Sequence, residues 1–161
     1  MPTEPTVDEQ MNRFYTVATG VLVNTDAMVD RLIGDEVVGL YLRGMAGVEH
    51  PRRAIQAAQN LLQITGDRDR KGPWLPVGIG IHTGIAFVGI VGGDQGNPND
   101  FTALGDNVNI TARLASEAGP GEILISEAAY TAVGLTLGQL ERRPLTLKGK
   151  NEPINVWVLR V

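Results

Sequence analysis

The alternation of amphipathic helices with short apolar runs is the feature that most limits how this chain can fold. Apolar residues such as Met11, Phe14 and Ala18 recur at steps of three and four, which predicts a helix over about residues 7–25. Two β-rich runs, Ala27–Ile33 and Val37–Leu42, follow on either side of a Gly-Asp turn. Runs of this kind joined by a tight turn predict a hairpin.

The rest of the chain continues this alternation. A second helix is predicted from Pro51 to Gly66, since proline suits the first turn and glycine ends a helix. Later helices are predicted near residues 106–118 and at Glu127–Val133. Two strand pairs are predicted, Pro76–Thr83 with Ile85–Val91 and Leu137–Leu147 with Ile154–Val161. Single strands are predicted at Phe101–Leu104 and Glu122–Ser126. Hairpins among alternating elements favour an α/β (α+β) sandwich over a doubly wound parallel sheet.

Composition narrows the function further. The 161 residues suit a single domain over 1–161, and 43% apolar residues are enough for a hydrophobic core. The net charge of −4 disfavours nucleic acid as a partner. The absence of cysteine excludes disulfides, zinc–thiolate sites and thiol nucleophiles. No apolar run approaches the ~18 residues of a membrane span, and the polar N-terminus is unlike a signal peptide, so we expect a cytoplasmic protein.

Glycines and one histidine mark the segment 78–84. Its third glycine falls one residue too late for a dinucleotide-binding loop, and no helix is predicted to follow. Gly78 and Gly80 are therefore predicted to allow close backbone packing in a twisted hairpin. No second histidine lies near His82, so a hydrogen-bonded strand histidine is a better interpretation than a metal ligand.

Two sites have both a structural and a functional interpretation. Asp35, in the tight turn of the first hairpin, would be held rigidly at a sheet end where it could bind a hard cation such as Mg²⁺, or it could serve the turn alone. Asp106, Asn109 and Arg113 step by three and four on a predicted helix, so they share one face. That face could bind phosphate behind the glycine at its start, or simply face solvent.

Taken together, these segments resemble the class III adenylate/guanylate cyclase catalytic domain. The resemblance is carried by Val29–Asp35, by Val77–Gly84 with Val88–Gly92, by Phe101–Leu114, and by Leu147-Lys-Gly149. The segments occur in the family's order and span residues 10 to 150. The resemblance implies a ferredoxin-like sandwich that forms a head-to-tail homodimer with active sites at the interface, other self-association being the alternative. It also allows for an attached regulatory domain.

The resemblance implies a reaction and three residues that act in it. The 3′-hydroxyl of a nucleoside triphosphate would attack its own α-phosphate and release pyrophosphate, with two Mg²⁺ or Mn²⁺ ions as cofactors. By resemblance, Asp35 is the second metal aspartate, Asn109 orients the ribose, and Arg113 stabilises the pentavalent phosphate. Two metals can clamp the attacking and leaving oxygens, and a preplaced arginine offsets charge that grows in the transition state.

The resemblance also assigns substrate contacts. Arg31 stands where a base-contacting lysine is usual, and Thr102 matches the second base-selecting position. Lys148 matches the triphosphate contact. Because neither base position is acidic, as one is in guanine sites of the family, ATP is expected over GTP.

The chain departs from the family's pattern in three places. The family's first strand, which carries the first metal aspartate, has no counterpart in these residues. Arg31 replaces lysine, and Gly92–Asp100 contains no arginine. On this ground we expect the 161-residue chain to turn over slowly or not at all, and to associate in a nonstandard way.

Two other functions remain open from the sequence. One is a noncatalytic cyclase-like domain that binds nucleotide or a partner. The other is a diguanylate cyclase, because Arg31–Val37 also resembles that family's Gly-Gly-Asp-Glu-Phe hairpin. That family gives no reason for Gly105–Arg113, so this interpretation is the weaker of the two.

Overall fold

The described residues form two compact units, Met1–Val77 and Gly78–Val161. The structure, a computed structural model, describes residues 3, 5–33, 35–66, 75–91, 100–133, 137–147 and 152–161, with the backbone alone at 31–33, 90–91 and 100–104. Among these residues, none of the helices has both the length and the apolar character that crossing a bilayer requires.

The first unit packs a hairpin and two longer helices together. Its elements are α1 (Val7–Asn24), β1 (Met28–Ile33), β2 (Glu36–Leu40), α2 (Arg43–Ala46) and α3 (His50–Thr65). The long helices and the hairpin match the elements that the sequence predicts. A capping box fixes the start of α1, because the Glu9 N–H donates to Thr6 Oγ1 at 3.2 Å and the Thr6 N–H donates to Glu9 Oε2 at 2.8 Å. Phe14 and Ala18 are buried on the core face of α1.

The β1–β2 hairpin is antiparallel, with an irregularity in register between Val29 and Arg31. Gly39 of β2 lies so close to α1 that a Cβ there would be 2.5 Å from Leu22 Cδ2. The hairpin is therefore held against α1 at a point where only glycine fits without a shift of the leucine.

The second unit is built on a four-stranded sheet. Its elements are β3 (Ile79–Ile81), β4 (Phe87–Val91), β5 (Asp100–Leu104), α4 (Asp106–Glu117), β6 (Glu122–Ser126), α5 (Glu127–Val133), β7 (Glu141–Leu145) and β8 (Ile154–Arg160). The sheet has the order β3-β6-β8-β7, while β4 and β5 form a separate antiparallel pair. Its core is an apolar cluster on one face of the sheet under α4: Leu114, Leu124, Leu145, Leu147, Val156 and Val158.

One predicted strand pairing is wrong. Residues 76–83 and 85–91 do not form a hairpin, because β3 pairs with β6 in parallel and β4 pairs with β5. A parallel pair needs a long crossover, and here β4, β5 and α4 lie between the two strands in sequence. The predicted loop at Gly92–Asp100 falls largely outside the described residues, which exclude 92–99.

Gly78 and Gly80 do allow close backbone packing, but against a helix rather than within a hairpin. A Cβ on Gly78 would lie 2.6 Å from the Ala118 carbonyl oxygen, and a Cβ on Gly80 would lie 2.5 Å from the Ala115 nitrogen. Because these neighbours are backbone atoms, they cannot move aside as a flexible side chain can. The two glycines therefore let α4 lie directly on β3.

Candidate functional site

The hairpin of the first unit carries two of the predicted site residues. Asp35 lies in the turn between β1 and β2 and is exposed to solvent. Arg31 lies on β1, where it is paired with Val38 of β2. The sequence folds this way locally because apolar, β-branched runs flank a short turn. The turn thus presents the carboxylate of Asp35 at the end of a strand pair.

Helix α4 of the second unit carries two more. Asn109 is exposed and Arg113 is half-buried, and their spacing of four places them on one face of the helix. Gly105 precedes α4 with a φ of 133°, a conformation that side chains disfavour, and it lets β5 run directly into the helix. Thr102 lies three residues before this glycine, on β5, where it is paired with Gly89.

The structure thus groups the predicted residues by unit. Arg31 and Asp35 share one hairpin, and Thr102, Asn109 and Arg113 lie on the consecutive elements β5 and α4. Lys148 lies outside the described residues.

The donor set for a divalent cation is small. Among the described residues, no group of three or more His, Cys, Asp or Glu side chains could hold a metal ion. Mg²⁺ is commonly held by one or two carboxylates together with substrate phosphates and water. The exposed carboxylate of Asp35 fits that arrangement, with the triphosphate of a nucleotide supplying further oxygens.

A chain of hydrogen bonds joins His82 to Ser126 and to Asn107 of α4. His82, just after β3, contacts Ser126 Oγ through Nδ1 at 2.7 Å and Asn107 Oδ1 through Nε2 at 2.8 Å. The Asn107 Nδ2 donates to the Ile85 carbonyl oxygen at 2.7 Å. The expectation of a hydrogen-bonded histidine is confirmed, although His82 lies one residue beyond the strand.

The same chain reaches the start of α5. The Ala129 N–H donates to Ser126 Oγ at 3.1 Å. Gly84 is the residue that makes room for the chain, because a Cβ there would overlap the carboxamide of Asn107. The loop 82–86 is thereby fixed both to the first turn of α4 and to the junction of β6 with α5.

Family membership follows from the sequence as a whole. The model of the family described as "Adenylate and Guanylate cyclase catalytic domain" matches residues 15–160. The chain belongs to this family. The resemblance drawn from the motifs is therefore confirmed, and Asn109, Arg113 and Asp35 lie within the matched part of this cyclase domain.

Individual relatives include both kinds of cyclase. The chain is 27% identical over 157 residues to "Adenylate cyclase, terminal-differentiation specific" of Dictyostelium discoideum, covering 91% of this chain and 7% of that protein. It is 30% identical over 163 residues to "Guanylate cyclase 32E" of Drosophila melanogaster, covering 96% of this chain and 14% of that protein. The cyclase domain thus spans only a small part of the length of these curated relatives.

Solved structures share the fold. The guanylyl cyclase Cya2 matches with a TM-score of 0.76 at 20% identity, covering 92% of this chain and 77% of that chain. The adenylyl cyclase CyaB from P. aeruginosa matches with a TM-score of 0.66 at 21% identity, covering 99% of this chain and 85% of that chain. The predicted fold class, a mixed α/β sandwich of the nucleotide cyclase type, is confirmed.

No sequence pattern marks Asn107 as a site residue. Asn109 is marked by its spacing of four from Arg113, whereas Asn107 falls on another side of the helix. The sequence offers one indication: a histidine and a glycine lie in one short segment, and an asparagine lies early in a later helix. This pattern does not predict a contact, because only the fold brings the two segments together.

Proposed function

We propose that this cyclase domain converts ATP to the 3′,5′-cyclic nucleotide and pyrophosphate. The observation that carries the proposal is the presentation of Asn109 and Arg113 from one face of α4, directly after the strand that bears Thr102. Membership of the cyclase family supports the roles proposed for these positions. GTP is the less favoured substrate in this proposal.

The residues of α4 would act on different parts of the substrate. Arg113 would face the α-phosphate, where its guanidinium offsets negative charge that grows only in the pentavalent transition state. Asn109 would hydrogen-bond the ribose and hold its 3′-hydroxyl in line with the phosphorus, since orientation of reacting groups lowers the barrier. Lys148 would contact the triphosphate as a point charge.

Asp35 would hold a divalent cation, Mg²⁺ or Mn²⁺, together with triphosphate oxygens. Such a cation, when bound, supplies Lewis-acid polarisation of the phosphoryl oxygens and a lower pKa for the attacking hydroxyl. A single exposed carboxylate binds such a cation weakly without substrate, because the remaining ligands come from the phosphates. Metal and nucleotide binding should therefore depend on one another.

Base choice would rest on Thr102 and Arg31. A threonine hydroxyl can accept from the adenine 6-amino group, and a guanidinium donates to a ring nitrogen. The chain has no acidic side chain at either position to accept from the guanine amino group. We further propose that the domain acts as a homodimer in the cytoplasm, in signal transduction. One similar solved guanylyl cyclase domain is described as a non-canonical dimer and a related one as monomeric, and a similar adenylyl cyclase is described as light-regulated.

The test is product formation by the 161-residue chain. The protein, at a concentration comparable with substrate so that slow turnover is seen, is incubated with ATP or GTP and Mg²⁺ or Mn²⁺. Cyclic nucleotide and pyrophosphate are quantified by mass spectrometry and should appear in equal amounts. Asp35→Asn should abolish both, whereas Ser116→Ala, an exposed change elsewhere on α4, should not. Slow or undetectable turnover by this chain agrees with its lack of a counterpart to the family's first strand, so the assay is repeated with that strand and its metal aspartate added. Nucleotide binding without any product in the strand-restored protein would refute the enzyme and favour a noncatalytic binding domain.

A further inference from the structure

The first turn of α4 begins at a glycine, without a side-chain cap. Its N-cap, Gly105, makes no side-chain capping hydrogen bond. Helix ends without a side-chain cap leave several backbone N–H groups unsatisfied and fray readily. Asn109 closes this first turn by donating its N–H to the Gly105 carbonyl oxygen at 3.2 Å, and a side-chain contact within the turn would add order to it.

The carboxamide of Asn107 supplies that order. It spans the loop 82–86, accepting from His82 through Oδ1 at 2.8 Å and donating to the Ile85 carbonyl through Nδ2 at 2.7 Å. The Ile85 carbonyl can only accept, so it fixes which end of the carboxamide faces His82. Asn107 is therefore held in a single orientation by two partners on one loop.

The orientation of the Asn107 carboxamide also fixes which ring nitrogen of His82 carries the hydrogen in this hydrogen bond. Because Asn107 Oδ1 can only accept, His82 Nε2 must carry a hydrogen and donate it. In the neutral ring, Nδ1 then accepts from the Ser126 hydroxyl, whose oxygen accepts in turn from the Ala129 N–H. The chain runs from Ser126 through His82 to Asn107, and Ser126 is only 4% exposed.

The helix geometry connects this chain to the candidate catalytic face. Successive residues turn about 100° around the axis, so Asn109 lies about 200° and Arg113 about 240° from Asn107. Leu114, seven residues after Asn107, lies on nearly the same side as Asn107 and is fully buried in the core cluster. Leu114 sets the rotation of the later turns by packing, and Asn107 sets that of the first turn by hydrogen bonds.

We propose that the Ser126–His82–Asn107 chain positions Asn109, with His82 as the positioning residue. It fixes the rotation of the first turn of α4 and hence the direction in which Asn109 meets the ribose. The proposal rests on the proposed cyclase function for its effect on rate. Arg113 depends on the chain less, because it lies one turn further along, next to the buried Leu114.

Two substitutions of His82 separate the two ends of the chain. In His82→Gln the longer side chain places its amide near the position of Nε2 and keeps a donor to Asn107. In His82→Asn the shorter side chain places its amide near the position of Nδ1 and keeps a partner for Ser126. Each variant loses one of the two hydrogen bonds, so a purely structural role predicts similar effects for both.

The rate measurement uses the 161-residue chain with ATP and Mg²⁺. We expect His82→Asn to lower kcat by ~10–100-fold with little change in KM, since small misplacement of a reacting group has effects of that size. His82→Gln should stay within about threefold of the wild type. Ser116→Ala is the control, because it changes a residue of α4 that is not part of the Ser126–His82–Asn107 hydrogen-bond chain. Equal losses in both His82 variants, or no loss in either, would overturn the proposal.

A second measurement needs no turnover. NMR of ¹⁵N-labelled protein should show a hydrogen on His82 Nε2 and none on Nδ1. Amide exchange in the first turn of α4, and the side-chain amide signals of Asn109, should change in His82→Asn and stay close to wild type in His82→Gln. If neither the wild type nor the protein with the family's first strand added forms cyclic nucleotide, the proposed function fails, and this measurement alone decides the positioning role. Unchanged exchange and unchanged Asn109 signals in His82→Asn would overturn it.

Discussion

Arg143 of β7 forms a bidentate ion pair with Glu122 of β6, across the intervening strand β8. Arg143 Nη1 donates to Glu122 Oε1 at 3.0 Å and Nη2 donates to Oε2 at 2.8 Å. Glu122 Oε1 also accepts from the Gly119 N–H at 2.9 Å, and Arg160 of β8 donates to Oε2 at 2.9 Å. The carboxylate thus joins the end of α4 to three strands of the sheet.

The first prediction concerns this carboxylate and pH. The hydrogen bonds from Arg143, and then that from the Gly119 N–H, lower the pKa of Glu122 from its ordinary 4.5 to about 2. A lowered pKa means that the stabilisation is complete above about pH 4.5 and is lost as the pH falls towards about 2. Glu122→Gln should lower the free energy of unfolding at pH 7 by about 1–2 kcal/mol, measured by urea denaturation, and should flatten its decline in acid.

Glu141→Gln is the matched control for that prediction. Glu141 accepts from the same two arginines, and the pKa of its carboxyl is lowered chiefly by the hydrogen bond from Arg160, but its side chain is 43% exposed. Solvent screens such pairs, so its loss should cost much less than that of Glu122, whose side chain is 13% exposed. Equal losses in the two variants would contradict the role given to burial.

The second prediction concerns the contact between β3 and α4. A Cβ at Gly80 would lie 2.5 Å from the Ala115 nitrogen and 2.7 Å from Leu114 Cβ, so Gly80→Ala must push the helix off the strand. We expect a loss of about 1–3 kcal/mol in thermal or urea unfolding. Gly20→Ala is the control, since no atom lies within 4 Å of a Cβ there and alanine favours a helix. It should raise stability by about 0.5–1 kcal/mol.

Local elements of this fold follow from sequence because their signals are contiguous. The hairpin β1–β2 was predictable, since both strands and the turn between them fall within a few residues. The partner of β3 was not, because period-two patterning identifies a strand without naming its neighbour. The parallel pairing of Ile79–Ile81 with β6 depends on a crossover of about forty residues, which no local pattern specifies.

The candidate site divides in the same way. Asn109 and Arg113 could be placed on one face of a helix from their spacing alone. The link between His82 and Asn107 could not, since it joins residues 25 apart through a loop that closes only when α4 lies on β3. Two glycines make this contact possible. Because Gly80 and Gly84 have no side chains, they leave room for α4 and for Asn107.

The third prediction concerns base choice. In competition between ATP and GTP, ATP should be used preferentially, because the Thr102 hydroxyl, in its proposed contact with the base, can accept from the adenine amino group. Thr102→Val keeps the shape of the side chain and removes the hydroxyl. It should reduce the ratio of kcat/KM for ATP over GTP by roughly 5–10-fold, which corresponds to one hydrogen bond. Thr102→Ser retains the hydroxyl and should keep the preference, and equal or better use of GTP by the wild type would defeat this assignment.

The fourth prediction separates the two residues of α4 by their kinetics. Arg113→Ala removes a charge that acts on the transition state, so kcat should fall by ~10²–10³-fold while KM for ATP changes little. Arg113→Lys should recover only part of the rate, because a point charge cannot replace the planar guanidinium.

Asn109→Ala should also lower kcat. The double variant Asn109→Ala/His82→Asn should be hardly slower than Asn109→Ala alone, because positioning has no effect once the positioned group is gone. Multiplicative losses in the double variant, measured by steady-state turnover, would show that the two residues act independently.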